Sequence, residues 1–242
     1  MQLTDFRTCE YSLVELVKDS VKLEVLRRDL GKGVAFKIKH DLDLELLNEI
    51  RCYLLNIKNS SFANFVARNA HTPNHFRIHW QRPEQEVLAN FCSWSFFALN
   101  EDPFEIFQTF KNVFELRNLL AGRSANSFLS GAEDGFVARF AAQFYQSGRG
   151  FMEKHQDPVA VHQFAIPTIL LSTPGVDFKS GGAWAESANN QRFYIDKELD
   201  FGDLFLFHSQ IPHGVELIDP DTRYSGLSDS GRLMAIFAVN SL

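Results

Sequence analysis

The sequence is poor in the features that mark several special classes of protein. Its three cysteines, Cys9, Cys52 and Cys92, are far apart and form no CxxC pair, so they predict neither a disulfide framework nor a zinc knuckle. No apolar run approaches the roughly 18 residues that a membrane-spanning helix needs. Lys and Arg number 24 against 30 Asp and Glu, a formal net charge of -6, which excludes a polybasic arm for nucleic acid. We therefore expect a soluble, cytoplasmic protein that binds neither membranes nor nucleic acid.

The chain contains enough apolar residues for one large core. It has 242 residues, of which 45% are hydrophobic, and 24 of them are phenylalanine. So many rigid rings predict a well-packed interior or an aromatic-walled pocket. No repeat, Gly/Ser-rich linker or low-complexity segment marks a boundary. We therefore expect a single domain over residues 1–242.

The first part of this domain, residues 1–125, shows mainly helical patterns. Residues 12–15 have the spacing of a capping box, and apolar residues follow Asp43 at steps of three and four. The clearest helix begins with Asp102 and ends at Gly122. An amphipathic helix must bury its apolar stripe, so we expect these helices to support a sheet and to build pocket walls.

Short strand-like runs separated by turn residues fill the second part, residues 126–242. The clearest run, 136–145, alternates between a phenylalanine-bearing face and a face that carries Arg139, Gln143 and Tyr145. This second face either lines a barrel or is a solvated outer surface. Many short strands at this spacing predict an α+β fold in which a jelly-roll barrel is supported by the N-terminal helices.

Three residues of the second part have the types and the spacing of a metal site. His155 and Asp157 are two residues apart, so on an extended backbone their side chains point to the same face and can grip one ion. His213 follows Asp157 by 56 residues and supplies a second imidazole. Two histidines and one carboxylate form the facial triad of non-haem iron(II) sites. A zinc site more often uses a third His or a Cys, and no Cys is nearby.

Further residues around this triad occur in a recognisable order. Tyr145 precedes His155 by ten residues, a strand-like run leads to His213, and Arg232 begins the last apolar run. In this order the sequence resembles the iron(II)- and 2-oxoglutarate-dependent oxygenases, and in its Tyr…Gly…His-x-Asp-x-Pro segment it resembles their prolyl-hydroxylase-like branch. The resemblance covers roughly residues 135–240. It implies a double-stranded β-helix, which is a jelly-roll or cupin-like barrel, over residues 126–242.

The resemblance also implies roles for individual residues. Iron(II) would be bound by His155, Asp157 and His213. The cosubstrate 2-oxoglutarate would be bound by Arg232 and Tyr145, and dioxygen would be the second cosubstrate. No further catalytic residue is expected beyond the metal ligands.

Two arginines compete for the distal carboxylate of 2-oxoglutarate. In many relatives this arginine follows the second histidine by about ten residues, which is the position of Arg223, whereas Arg232 lies 19 residues after His213. We prefer Arg232, because the residues between the two arginines have the composition of a loop and the apolar strand begins only at Arg232. A planar guanidinium there would give the carboxylate two parallel charge-assisted hydrogen bonds.

The implied activity is hydroxylation of an unactivated C–H bond, with 2-oxoglutarate converted to succinate and carbon dioxide. Halogenating relatives replace the carboxylate ligand by a small residue, so Asp157 predicts hydroxylation, or desaturation or ring closure by the same oxidant. We expect a small-molecule substrate, an amino acid or a biosynthetic intermediate. Three alternatives stay open: a protein (prolyl-type) hydroxylase, a cupin-like metalloenzyme that needs no 2-oxo acid, and a non-catalytic jelly-roll binding module. The sequence leaves the oligomeric state open.

Overall fold

The computed structural model describes residues 1–60, 75–79, 87–99, 102, 104–160 and 162–241, and only the backbone of residues 75–79. The helices in this part of the chain are α1 (Leu13–Lys18), α2 (Ser20–Leu30), α3 (Leu44–Ser60), α4 (Ile106–Thr109), α5 (Lys111–Leu120) and a short 3-10 helix (Ile195–Glu198). Within the described residues, no helix is long and apolar enough to cross a membrane.

The strands of the described chain form one continuous hydrogen-bonded system. They are β1 (Asp5–Ser12), β2 (Val34–Lys39), β3 (His75–His79), β4 (Ala89–Phe97), β5 (Phe136–Gln146), β6 (Phe151–His155), β7 (Thr168–Leu170), β8 (Gly182–Glu186), β9 (Arg192–Tyr194), β10 (Leu204–Leu206), β11 (His213–Glu216) and β12 (Gly231–Ser241). Their order is β1-β2-β10-β7-β12-β5-β4-β6-β11-β8-β9, and β3 pairs with β4 off this path. β1 and β2 are parallel, and the other pairings between described strands are antiparallel.

Strand β4 connects two sheets that face each other. Residues 92–97 pair with β5 of the larger sheet, whereas Ala89 and Asn90 pair with β6 of the smaller sheet. The smaller sheet continues from β6 through β11 and β8 to β9. Side chains from both sheets line one cavity, as in a jelly-roll barrel.

The N-terminal helices begin largely as the sequence predicts. The Ser12 side chain accepts a hydrogen bond from the Glu15 N–H, and the Glu15 carboxylate accepts one from the Ser12 N–H, so the capping box at α1 is present. The Asp43 carboxylate accepts a hydrogen bond from the Glu45 N–H (2.8 Å) at the start of α3. The alternation of residues 34–38 in the sequence is typical of a strand, and β2 lies there. The expectation that residues 1–125 are mainly helical is otherwise incomplete, because β1, β3 and β4 also lie there.

The helix predicted from Asp102 begins later than expected. The residue at the N-cap position is Glu105, but the Asp102 carboxylate accepts hydrogen bonds from the N–H groups of Ile106 (2.5 Å) and Phe107 (3.1 Å) and so satisfies the first turn from three residues further upstream. That helix is the single turn α4, which is interrupted at Phe110 before α5 begins. α5 ends close to Gly122, whose φ of 73° is left-handed, as predicted for the residue that terminates it.

A cluster of phenylalanine rings joins these helices to the larger sheet. The ring centroid of Phe237 on β12 lies 5.0 Å from that of Phe110, 5.3 Å from that of Phe114 and 5.6 Å from that of Phe140. All four side chains are buried. The predicted alternation of β5 is present, because Phe140 packs in this core while Arg139, Gln143 and Tyr145 line the cavity on the opposite face.

Candidate metal centre

Two strands of the smaller sheet bring the three candidate metal ligands together. His155 ends β6 and His213 begins β11, and the two residues are register partners across this antiparallel pair. Asp157 lies just beyond β6, where its N–H donates a hydrogen bond to the Ser209 carbonyl (3.0 Å). Nε2 of His155 lies 4.0 Å from Oδ1 of Asp157, and Nε2 of His213 lies 3.5 Å from Oδ2. One ligand atom from each of the three residues therefore lies within 4.8 Å of the other two.

Backbone carbonyl groups hold both imidazoles in the orientation that suits a metal. Nδ1 of His155 is 2.9 Å from the carbonyl oxygen of Glu153, and Nδ1 of His213 is 2.9 Å from that of Ile211. A carbonyl oxygen only accepts, so each Nδ1 must carry the hydrogen and each neutral ring keeps its lone pair on Nε2. Both lone pairs are thus on the nitrogen atoms near the Asp157 carboxylate, as in histidine ligands fixed by an outer hydrogen bond.

Burial also keeps His213 in the protonation state that binds metals. Removal from water lowers the pKa of His213, and this effect outweighs the opposing negative charge of Asp157. The nearby imidazole of His155 acts in the same direction as burial. A neutral imidazole is the form that coordinates a metal ion.

The triad lies on the wall of a cavity of about 330 Å³ inside the barrel. Tyr145 and Arg232 line one part of this cavity, and Arg139 lines another. Arg139 and Tyr145 are six residues apart on β5, which corresponds to about 20 Å along a strand. The candidate cosubstrate residues and Arg139 therefore lie towards different ends of the cavity.

The structure places Arg232, and not Arg223, in this cavity. The Arg232 side chain is completely buried and pairs with Asp196: its Nε donates to Oδ2 (2.5 Å) and its Nη2 to Oδ1 (2.9 Å). The third guanidinium nitrogen, Nη1, contacts Sδ of Met234 at 2.8 Å. Arg223 lies on an exposed loop and does not line the cavity.

Tyr145 lies beside Arg232 on the neighbouring strand. The two residues are register partners between β5 and β12, and the Arg232 guanidinium carbon is 5.9 Å from the centre of the Tyr145 ring. The phenol hydroxyl donates a hydrogen bond to Oε1 of Gln143 (2.7 Å). Burial raises the pKa of Tyr145, so the phenol stays protonated and can donate a hydrogen bond.

Asp196 is the site residue that the sequence analysis missed. Asp196 lies in the short 3-10 helix Ile195–Glu198, which follows β9, and resembles an ordinary surface acid in sequence. In the structure it is buried behind Arg232, which lines the cavity. The signal that could have found it is Gly182, since a glycine inside a strand marks a close approach by another group. Gly182 has φ of +112°, and a Cβ atom there would lie 2.6 Å from Oδ2 of Asp196.

Comparison with known proteins identifies the fold. No protein-family model and no curated protein matches the sequence. Among solved structures, the chain is similar to a Pseudomonas putida prolyl-4-hydroxylase, with 16% identity and a TM-score of 0.51 over 91% of this chain and 99% of that chain. It is also similar to a Trichoplax adhaerens prolyl hydroxylase in complex with a hypoxia inducible factor peptide fragment. The identity is 15% and the TM-score is 0.51, over 94% of this chain and 96% of that chain.

A third similar structure is that of an epimerase. It is SnoN, a non-haem α-ketoglutarate-dependent epimerase from nogalamycin biosynthesis, with 13% identity and a TM-score of 0.54 over 92% of this chain and 84% of that chain. At these identities the likeness shows the fold. The predicted jelly-roll architecture, and the resemblance to 2-oxoglutarate-dependent oxygenases with prolyl-hydroxylase-like members, are therefore confirmed at the level of the fold.

Proposed function

We propose that this chain is a non-haem iron(II)- and 2-oxoglutarate-dependent dioxygenase that hydroxylates an unactivated C–H bond of a small molecule. One observation carries the proposal. Two imidazoles with lone pairs on Nε2 and one carboxylate meet within 4.8 Å on the wall of a cavity that also contains a buried arginine. Each of these parts meets a different chemical need of that reaction.

The donor set suits ferrous iron. His155, Asp157 and His213 would hold the ion from one side, which leaves three adjacent positions for cosubstrates. The chemistry supplied by iron and 2-oxoglutarate bound there would be the oxidation of a C–H bond by dioxygen, coupled to conversion of 2-oxoglutarate to succinate and carbon dioxide. The protein's own contribution is to fix the ligand geometry: both imidazoles are held by backbone carbonyl groups, and the Asp157 backbone is held by Ser209.

Arg232 and Tyr145 would receive the distal carboxylate of 2-oxoglutarate. The guanidinium is inside the barrel, where the charge of a carboxylate is poorly screened by water. Asp196 uses the Nε hydrogen and one Nη2 hydrogen, and one Nη1 hydrogen points to Sδ of Met234, so one hydrogen on each of Nη1 and Nη2 remains for the cosubstrate. The phenol of Tyr145 is a neutral donor beside this cation, and its single hydrogen, which Gln143 accepts in this structure, would turn to the bound carboxylate.

The size and lining of the cavity support a small substrate. Its volume of about 330 Å³ lies at the lower end of the range of roughly 300–1,000 Å³ for ligand pockets, and the same space must also accept the cosubstrate. Polar groups of Arg139, Gln143 and Gln163 lie among aliphatic residues on its walls. These are the convergent polar groups that orient a small metabolite.

Turnover assays test this function and its alternatives together. Iron-loaded protein, 2-oxoglutarate and dioxygen are incubated either with amino-acid pools or with a cell-protein extract, and succinate and a mass gain of one oxygen atom are measured. We expect succinate together with an oxidised small molecule. Oxidation of the protein fraction instead would indicate a protein hydroxylase. Iron binding without succinate would indicate a metalloenzyme that needs no 2-oxo acid.

A pair of variants ties the activity to the proposed ligands. Asp157→Ala should abolish succinate formation, because it removes one of three ligands. Asp221→Ala, which changes an exposed aspartate on a loop outside the cavity, should leave it intact. Full turnover by Asp157→Ala with stoichiometric iron would contradict the ligand assignment.

A further inference from the structure

The carboxylate of Asp196 accepts two hydrogen bonds from one edge of the Arg232 guanidinium. Its Oδ2 accepts the Nε hydrogen at 2.5 Å, and its Oδ1 accepts an Nη2 hydrogen at 2.9 Å. The side chains are 4% and 0% exposed, so water does not compete for these hydrogen bonds. A two-point contact of this kind fixes the plane of a guanidinium as well as its position.

Asp196 is itself held in place by the smaller sheet. Its Oδ2 also accepts the Ala183 N–H at 2.7 Å, at the start of β8. The preceding residue of this strand, Gly182, lets the carboxylate approach, because a Cβ atom there would lie 2.6 Å from Oδ2. Asp196 therefore connects β8 of the smaller sheet to β12 of the larger sheet through Arg232.

We propose that Asp196 is a positioning residue for the cosubstrate: it holds the Nε and Nη2 edge of Arg232 so that the remaining N–H groups are ready for the distal carboxylate of 2-oxoglutarate. This inference rests on the proposed function. An arginine side chain has many rotamers, and a ligand that must immobilise it binds less tightly. With Asp196 in place, Arg232 is already immobilised before the cosubstrate enters.

The negative charge of Asp196 acts in the opposite direction, because it repels a second carboxylate. The repulsion acts across the width of the guanidinium, whereas the hydrogen bonds that Arg232 donates act at contact distance. Coulombic energy falls with distance, and the positioning role requires that correct placement of the donors outweighs this more distant repulsion. Two variants separate these effects: Asp196→Asn removes the charge, and Gly182→Ala displaces the carboxylate but keeps its charge.

The test measures cosubstrate affinity without turnover. Anaerobic protein loaded with iron(II) is titrated with 2-oxoglutarate, and the weak visible metal-to-ligand absorption band reports binding. Asp196→Asn and Gly182→Ala should each weaken 2-oxoglutarate binding at least about ten-fold, which is the lower end of the loss found when a metal ligand is deprived of its outer hydrogen-bond partner. Binding of 2-oxopentanoate, which has a methyl group in place of the distal carboxylate, should stay unchanged.

Matched controls separate positioning from general damage. Asp203→Asn removes an aspartate that pairs with Lys37 at 2.6 Å outside the cavity. Gly175→Ala changes another glycine with positive φ (+83°), where a Cβ atom would meet nothing within 4 Å. Neither should alter the affinity for 2-oxoglutarate. Circular dichroism checks that each variant is folded. If Asp196→Asn does not fold, Gly182→Ala still tests the inference.

The outcomes distinguish this inference from the proposed function. Unchanged or tighter 2-oxoglutarate binding by a folded Asp196→Asn would overturn the positioning role, and so would an equal loss of affinity for both 2-oxo acids. Failure of the wild-type protein to bind iron or 2-oxoglutarate would instead overturn the proposed function, and the inference with it. Selective loss of 2-oxoglutarate affinity in both variants would support the role.

Discussion

Replacing Arg232 by methionine should lower the free energy of unfolding by about 3–5 kcal/mol, because it leaves Asp196 as an unpaired carboxylate in the interior. The expected value follows from the burial of this pair. Its side chains are 0% and 4% exposed and meet at 2.5 Å. Water does not reach the carboxylate in the intact pair, so loss of the guanidinium leaves a poorly solvated negative charge. In a chain of 242 residues, this loss corresponds to a fall of roughly 6–20 °C in melting temperature.

Urea denaturation at 25 °C without iron or 2-oxoglutarate measures this loss, and an unchanged m-value shows that the same surface is exposed on unfolding. Adding Asp196→Asn to Arg232→Met should recover most of the stability, because it removes the unpaired charge. Lys37→Met is the control: it breaks a partly exposed pair with Asp203 and should cost less than about 1 kcal/mol. A small effect of Arg232→Met, or a double variant as unstable as the single one, would show that the buried pair is not formed in solution.

Other measurements address the core, the pH response and the metal. Phe237→Ala should cost about 3–5 kcal/mol in urea denaturation, since its buried ring packs on α5; a loss below about 1 kcal/mol would contradict this packing. Burial lowers the pKa of His208. Below about pH 6.5 the His208 side chain therefore takes up a proton in the unfolded chain before it does so in the folded chain. The free energy of unfolding then falls by up to about 1.4 kcal/mol per pH unit as the pH is lowered. His208→Gln should make this fall shallower, and a variant with the same slope as the wild type would refute the contribution of His208. Iron(II) at 100 times its Kd should stabilise the wild type by about 2.7 kcal/mol but should not stabilise Asp157→Ala. Equal stabilisation of both proteins would argue against Asp157 as a metal ligand.

Local patterns in the sequence predicted those elements whose physical causes are local. The capping box at Ser12 depends on residues three positions apart, and the alternation of β5 depends on one face being apolar and the other polar. Both were predicted from the sequence. β4 lacks such a pattern, because nearly all of its residues are buried on both faces. A strand of this kind has no two-residue period to detect.

The candidate metal triad could be predicted because the chemistry of such a site restricts the residue types. His155 and Asp157 are neighbours on one face of an extended segment, and the order of the surrounding residues identified His213. Asp196 could not be found in this way. Its burial depends on Arg232, which lies 36 residues away in sequence, and on the close approach that Gly182 allows. Such a contact is decided by how the two sheets pack, which no local period encodes.

Calorimetric titration of the anaerobic protein with iron(II) tests most directly whether His155, Asp157 and His213 share one ion. We predict that each chain binds one ion and that replacing any of the three residues by alanine abolishes tight binding. Absence of iron binding in the wild type, or tight binding that survives in any of the three variants, would contradict this assignment.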